Sequence, residues 1–134
     1  MFLILLAAIL SIEADFTQTK EVALLNEPQV STGHMTYRAP DYLQWAYQTP
    51  QPLIWEIDGE QSNVSSQIQG LMKMIMASIA GQNTENPKMQ RAYKRLFRSV
   101  EIEMDEQNEV AKKVQLVEKN GDITTIEFTN VITK

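Results

Sequence analysis

Three places in the 134-residue sequence hold residue types that could do chemistry. Asp58 and Glu60 flank Gly59, a carboxylate pair of the kind used in acid–base work, although a solvated hairpin turn gives the same pattern. His34 is the one histidine, so any catalytic triad has a single candidate imidazole. It falls on the polar phase of its segment, opposite Met35 and Tyr37, and has no motif partner, as expected of a surface histidine. The third place is basic. Lys88, Arg91, Lys94, Arg95 and Arg98 are five of the twelve basic residues, and Lys88, Arg91, Arg95 and Arg98 share one face of a predicted helix. That face reads either as a solvated surface or as a docking patch for an acidic partner or anionic head group. Zero cysteines exclude disulfides, thiolate metal sites and a cysteine nucleophile. There is no phosphate-binding glycine loop, nucleophile elbow or metal motif. The expectation is a protein that is not an enzyme and uses neither metal nor cofactor.

The elements that must carry these residues follow from periodicity. The length points to one domain. The net charge of −5 argues against non-specific nucleic-acid binding, which needs cationic surface, and 43% apolar residues suit a folded chain. Met1–Leu10 is an unbroken apolar run, too short to span a bilayer, which takes roughly 20 residues. It fits the apolar core of a secretory signal, with a buried N-terminal helix as the alternative. Residues 1–13 are therefore set apart as a signal-like segment or residual helix, and 14–134 as a single domain.

Alternation then predicts strands. Ala14, Phe16 and Gln18 share one phase. Asn26-Glu27-Pro28 reads as a turn, and Gly33, Met35 and Tyr37 follow. Beyond Ala39-Pro40-Asp41 come Leu43, Trp45 and Tyr47, then, after Thr49-Pro50-Gln51-Pro52, Leu53, Trp55 and Ile57, closed by Asp58-Gly59. In the middle, Ile68, Leu71, Met72, Ile75, Met76 and Ile79 form a 3.6-residue stripe that predicts a helix over 66–80. Its flexible methionines suit a movable lid. A second helix starts at Asn86-Pro87 with the stripe Met89, Ala92, Tyr93, Leu96 and Phe97. Strands return at Val100, Ile102 and Met104, at Val114 and Leu116, and at Thr124, Ile126 and Phe128, with Asn120-Gly121 as a hairpin signal. The order strands, helices, strands predicts an α+β domain in which helices cover the apolar face of a sheet.

The strings Phe16-Thr-Gln18-Thr-Lys20, Ser31-Thr-Gly33-His-Met35-Thr-Tyr37 and Pro40-Asp-Tyr-Leu43-Gln-Trp45-Ala-Tyr47-Gln-Thr-Pro50 resemble the LolA-type outer-membrane lipoprotein carriers of the Bacteroidetes-like branch. Ile57-Asp58-Gly59 and Gly121–Val131 are similar to later strands of that family. The resemblance implies an unclosed antiparallel β-barrel, a half-barrel, whose apolar concave face is covered by helices and holds lipoprotein acyl chains. The implied lining is Phe16, Met35, Tyr37, Leu43, Trp45, Tyr47, Leu53, Trp55 and Ile57 on the sheet, with Leu71, Met72, Ile75, Met76 and Ile79 from the helix. The implied partners are acyl chains or other lipids, an inner-membrane donor and an outer-membrane acceptor that could dock at Lys88, Arg91, Arg95 and Arg98. No nucleic acid is implied. A periplasmic monomer of a Gram-negative bacterium is the expected setting. Where proteobacterial carriers place an Arg before the first Pro, this chain has Ala39. A lipid- or lipoprotein-sensing module and a small lipid hydrolase are the competing readings.

Overall fold

In a computed structural model, residues 10–65, 69–70, 72–73, 94–95, 97–105 and 110–134 are described. They form eight strands: β1 (Ser11–Glu21), β2 (Gln29–Arg38), β3 (Tyr42–Thr49), β4 (Leu53–Asp58), β5 (Gln61–Ser62), β6 (Phe97–Met104), β7 (Ala111–Glu118) and β8 (Ile123–Thr133). The strands make one antiparallel sheet in the order β5-β4-β3-β2-β1-β8-β7-β6. The sheet is unclosed, with β5 and β6 at its two ends.

The α+β expectation, with helices covering the apolar face, is corrected by this architecture. Helical backbone among the described residues is confined to 69–70, 72–73 and 94–95, and these residues form no helical layer over the sheet. Of these positions only Met72 joins the buried core. The rest of the expected helix at 66–80, and so the lid reading, lies outside the described residues, as do residues 1–9. The second predicted helix ends earlier than its stripe suggested. Phe97 and Arg98 open β6, because pairing of Phe97 with Glu118 and of Ser99 with Val117 outweighs the helical period that Phe97 completes.

Period-2 alternation fixes which side of the sheet is apolar. Ile12, Ala14 and Phe16 of β1, Met35 and Tyr37 of β2, Leu43 and Trp45 of β3 and Ile57 of β4 are all buried in one cluster. Val114 and Leu116 of β7 and Ile126 and Phe128 of β8 extend it across the other half. β1 starts at Ser11, so Ile12, placed by sequence in the signal-like segment, is wholly buried core.

The β4 end of the sheet is finished by a side chain. The Asn63 Oδ1 accepts from the Glu56 N–H at 2.8 Å, and its Nδ2 donates to the Ile54 carbonyl at 2.9 Å. One amide thus takes the place of a neighbouring strand where β5 has only two residues. Turns follow their predicted chemistry at Asp58-Gly59 and at Asn120-Gly121, where Gly59 and Gly121 have φ of 63° and 96°. Ala39–Pro40 and Thr49–Pro50 are cis in the turns that enclose β3.

The β1–β2 hairpin departs from its expected turn. Its register runs from Ser11 opposite Arg38 to Lys20 opposite Gln29, so the two strands fold about a point between Leu24 and Leu25. The tight turn is Val22–Leu25, closed by the Leu25 N–H donating to the Val22 carbonyl at 2.9 Å. Asn26-Glu27-Pro28 forms only the return to β2.

Candidate ligand-binding face

The apolar face is organised around a glycine. Phe16 of β1 pairs with Gly33 of β2, which pairs with Tyr47 of β3. Strands β1 and β3 lie about 10 Å apart, two inter-strand spacings. With no side chain on Gly33, their rings meet above β2: Phe16 stacks on Trp45 with centroids 4.1 Å apart and meets Tyr47 edge-on at 5.5 Å. Phe128 of β8 adds an edge contact to Trp45 at 6.0 Å, and Trp55 of β4 one to Tyr47 at 5.3 Å. The result is an aromatic chain from β8 to β4. Such pairs add about 0.5–1.5 kcal/mol each beyond the area they bury.

One polar contact sits inside this apolar field. The Tyr47 hydroxyl donates to the Gln18 Oε1 at 2.9 Å, which satisfies a phenol whose pKa is pushed up by burial. Exposure rises along the aromatic chain. Phe16 and Trp45 are buried, Tyr47 and Trp55 are half-buried, and Leu53, opposite Tyr47, is half exposed. The face therefore has a sealed centre and an accessible margin at the β3–β4 end.

Of the lining residues named from sequence, Phe16, Met35, Tyr37, Leu43, Trp45, Ile57 and Met72 are buried together. Tyr47 and Trp55 pack against them, Leu53 stands at the margin, and Leu71, Ile75, Met76 and Ile79 lie outside the described residues. Trp45 and Trp55 are direct cross-strand partners and so share the face. Sequence reasoning left out Gln18, Ile12 and Phe128 as members. The alternation of β8 carried the signal for Phe128, but not that β8 pairs with β1. The basic patch is not assembled on one helix: Arg95 is exposed on helical backbone, Arg98 is exposed on β6, and Lys88 and Arg91 lie outside the described residues.

The opposite face holds a charged cluster that the sequence reading missed. His34 lies directly across from Asp15. Its Nδ1 is 3.0 Å from an Asp15 carboxylate oxygen, and its Nε2 is 3.3 Å from Glu13. The Asn130 Nδ2 donates to the other Asp15 oxygen at 2.9 Å. Asn130 reaches it from an irregularity in the β1–β8 pairing, with φ of 53°, a conformation asparagine tolerates. Asp15 holds the His34 imidazole above its ordinary range, with Glu13 assisting against partial burial. His34 and then Asn130 hold the Asp15 carboxyl below its ordinary range.

The direction of these shifts sets a pH dependence. The stabilisation from His34 is complete below the ordinary imidazole value of 6.5 and is lost as pH rises through the raised value. The part from Asp15 is present above the ordinary 3.8 and is lost as pH falls through the lowered value. The urea midpoint is expected to fall between pH 6 and pH 9 in the wild type and to fall less in His34→Gln. Parallel curves for the two proteins would show that the cluster contributes nothing to the pH profile.

A polar cleft of about 270 Å³, lined by Glu56, Asp58, Gln61, Ser62 and Asn63, opens at the β4–β5 end. Asp58 and Glu60 are both exposed around Gly59, as the solvated-turn reading requires. No group of acidic or imidazole side chains among the described residues has the spacing of a metal site.

The protein is thus of the class built on an unclosed, all-antiparallel sheet with one continuous aromatic and apolar face. Residues 7–69 match the family model described as Outer membrane lipoprotein carrier protein LolA. Over that stretch, which spans β1 to β5, the chain is similar to LolA-type proteins, in agreement with the resemblance of its Gly33, Trp45 and Tyr47 strings. Strands β6–β8 lie outside the match. None of the curated proteins compared with the chain matches it.

Proposed function

We propose that this protein is a periplasmic carrier that holds lipoprotein acyl chains against its apolar face and passes them toward the outer membrane. The observation that carries the reading is the aromatic chain from Phe128 to Trp55, with its margin at the partly buried Tyr47 and Trp55 and the half-exposed Leu53. The family match over β1–β5 supports it, since LolA proteins are lipoprotein carriers. Burying acyl chains gains about 0.8 kcal/mol per methylene, so a lipid anchor can be held in water and released to a more apolar receptor without covalent chemistry. Arg95 and Arg98, both exposed, remain the candidate contacts for a donor or acceptor protein.

The hydrolase reading has less support. His34, the one imidazole in the chain, stands on the face opposite the aromatic chain, with its ring nitrogens against Asp15 and Glu13.

Native mass spectrometry of the purified protein, together with titration by a diacylated lipopeptide, tests the carrier reading. Co-purified diacyl species and a blue shift of tryptophan emission on titration are expected. A lipopeptide that binds without altering the emission of either tryptophan would remove the aromatic face as the binding surface.

A further inference from the structure

The apex of the β1–β2 hairpin is apolar where hairpin turns ordinarily take Gly, Asn, Asp or Ser. Turn-forming residues are present at Asn26-Glu27-Pro28, yet the register puts Val22-Ala23-Leu24-Leu25 at the summit. Leu24 is 93% exposed, Leu25 49%, and Val30 at the start of β2 51%. These side chains are not waiting on a loose loop. The Leu25 N–H closes the turn onto Val22, and the Ala23 N–H donates to the Asp122 Oδ1 at 3.4 Å. Asp122 is itself buried and tied to Asn120 through Nδ2 at 3.2 Å. The neighbouring β7–β8 turn therefore braces a tip that holds two leucines in water.

We propose that the Val22–Leu25 turn inserts its leucines into the head-group boundary of a zwitterionic phospholipid bilayer. A convex summit of two leucines suits a bilayer, which accepts any apolar protrusion, whereas a protein partner would need a matching pocket. The charge around the tip selects the kind of lipid. Lys20 is paired with Glu118 at 3.5 Å, and Glu21, Glu27 and Asp122 outnumber the remaining Lys119. That balance gives no attraction to an anionic surface, so binding rests on apolar burial and is insensitive to salt. The inference stands independently of acyl binding, because the tip lies beyond the aromatic chain and shares no residue with it.

The full-length chain is tested with protein-free phosphatidylcholine vesicles. The wild type is expected to float with the vesicles, and the double variant Leu24→Ser/Leu25→Ser to partition at least about tenfold more weakly. Because the chain has no cysteine, Leu24→Cys can carry a single bimane probe, whose emission is expected to shift to the blue on vesicle addition, whereas a probe at Glu27→Cys shifts less. The urea midpoint of the double variant checks its fold, and the bimane result stands even if that midpoint falls. Failure of the wild type to float overturns the proposal, as does equal partition of the variant. Binding confined to phosphatidylglycerol vesicles and reversed by salt would overturn it in favour of a basic patch elsewhere. A probe silent on vesicles but responsive on native membranes until protease treatment would overturn it in favour of a protein pocket.

Discussion

Replacing Gly33 with alanine is expected to lower stability by about 3 kcal/mol, the upper range for overpacking a well-filled site. A Cβ at this position would sit inside the van der Waals shell of the Ala46 carbonyl oxygen and 2.6 Å from Cζ of Phe16. The first obstacle is backbone in the paired strand β3 and cannot rotate away. The second is a ring held by its stack on Trp45 and its edge contact with Tyr47. The β2–β3 pairing register also shifts between Thr32 and Gly33, right beside this point. Urea denaturation gives the measurement. The double variant Gly33→Ala/Phe16→Leu is expected to recover only part of the loss, since the clash with Ala46 remains. A single variant within 1 kcal/mol of the wild type would mean that β2 and β3 separate at little cost, and Gly33 would no longer explain why the rings of β1 and β3 meet.

Gly33 also shows what was legible in the sequence. Alternation placed Phe16, Met35, Tyr37, Leu43, Trp45, Trp55 and Ile57 on a common face, and the structure keeps them there, because one buried face forces a period of two. Alternation says nothing about which strands are neighbours. The β1–β8 pairing joins residues more than a hundred positions apart, so Phe128 could not be seen beside Trp45. His34 looked partnerless for a related reason. Turn propensity centred the first hairpin on Asn26-Glu27-Pro28, whereas burial of Ile12, Ala14 and Phe16 sets a register centred between Leu24 and Leu25. Only that register brings Asp15 opposite His34. The helical covering layer was inferred from stripes that are real in composition. Phe97, the last residue of one stripe, fits strand alternation equally well and is buried as the first residue of β6.

Trp45 and Trp55 are cross-strand partners on one face, yet substitutions at them are expected to separate stability from binding. Trp45 is buried between Phe16 and Phe128, so Trp45→Ala is expected to cost about 3–5 kcal/mol through the cavity it leaves. Trp55 is half-buried, makes an edge-to-face contact with Tyr47 at the rim of the core, and Leu53 near it is half exposed. Truncation there removes little packing but takes away the surface an acyl chain would reach first. Trp55→Ala and Leu53→Ser are therefore each expected to weaken binding of a diacylated lipopeptide by at least about tenfold, the value of covering one large apolar side chain, while the urea midpoint stays within about 1 kcal/mol of the wild type. Tryptophan emission would follow the same division: Trp45→Phe retains the ligand-induced blue shift, and Trp55→Phe loses most of it. If Trp55→Ala binds the lipopeptide as tightly as the wild type, the margin at β3–β4 is not the entry to the face. If both Trp55→Ala and Leu53→Ser unfold as readily as Trp45→Ala, that margin is core, and the accessible end of the aromatic chain must be sought at Phe128 instead.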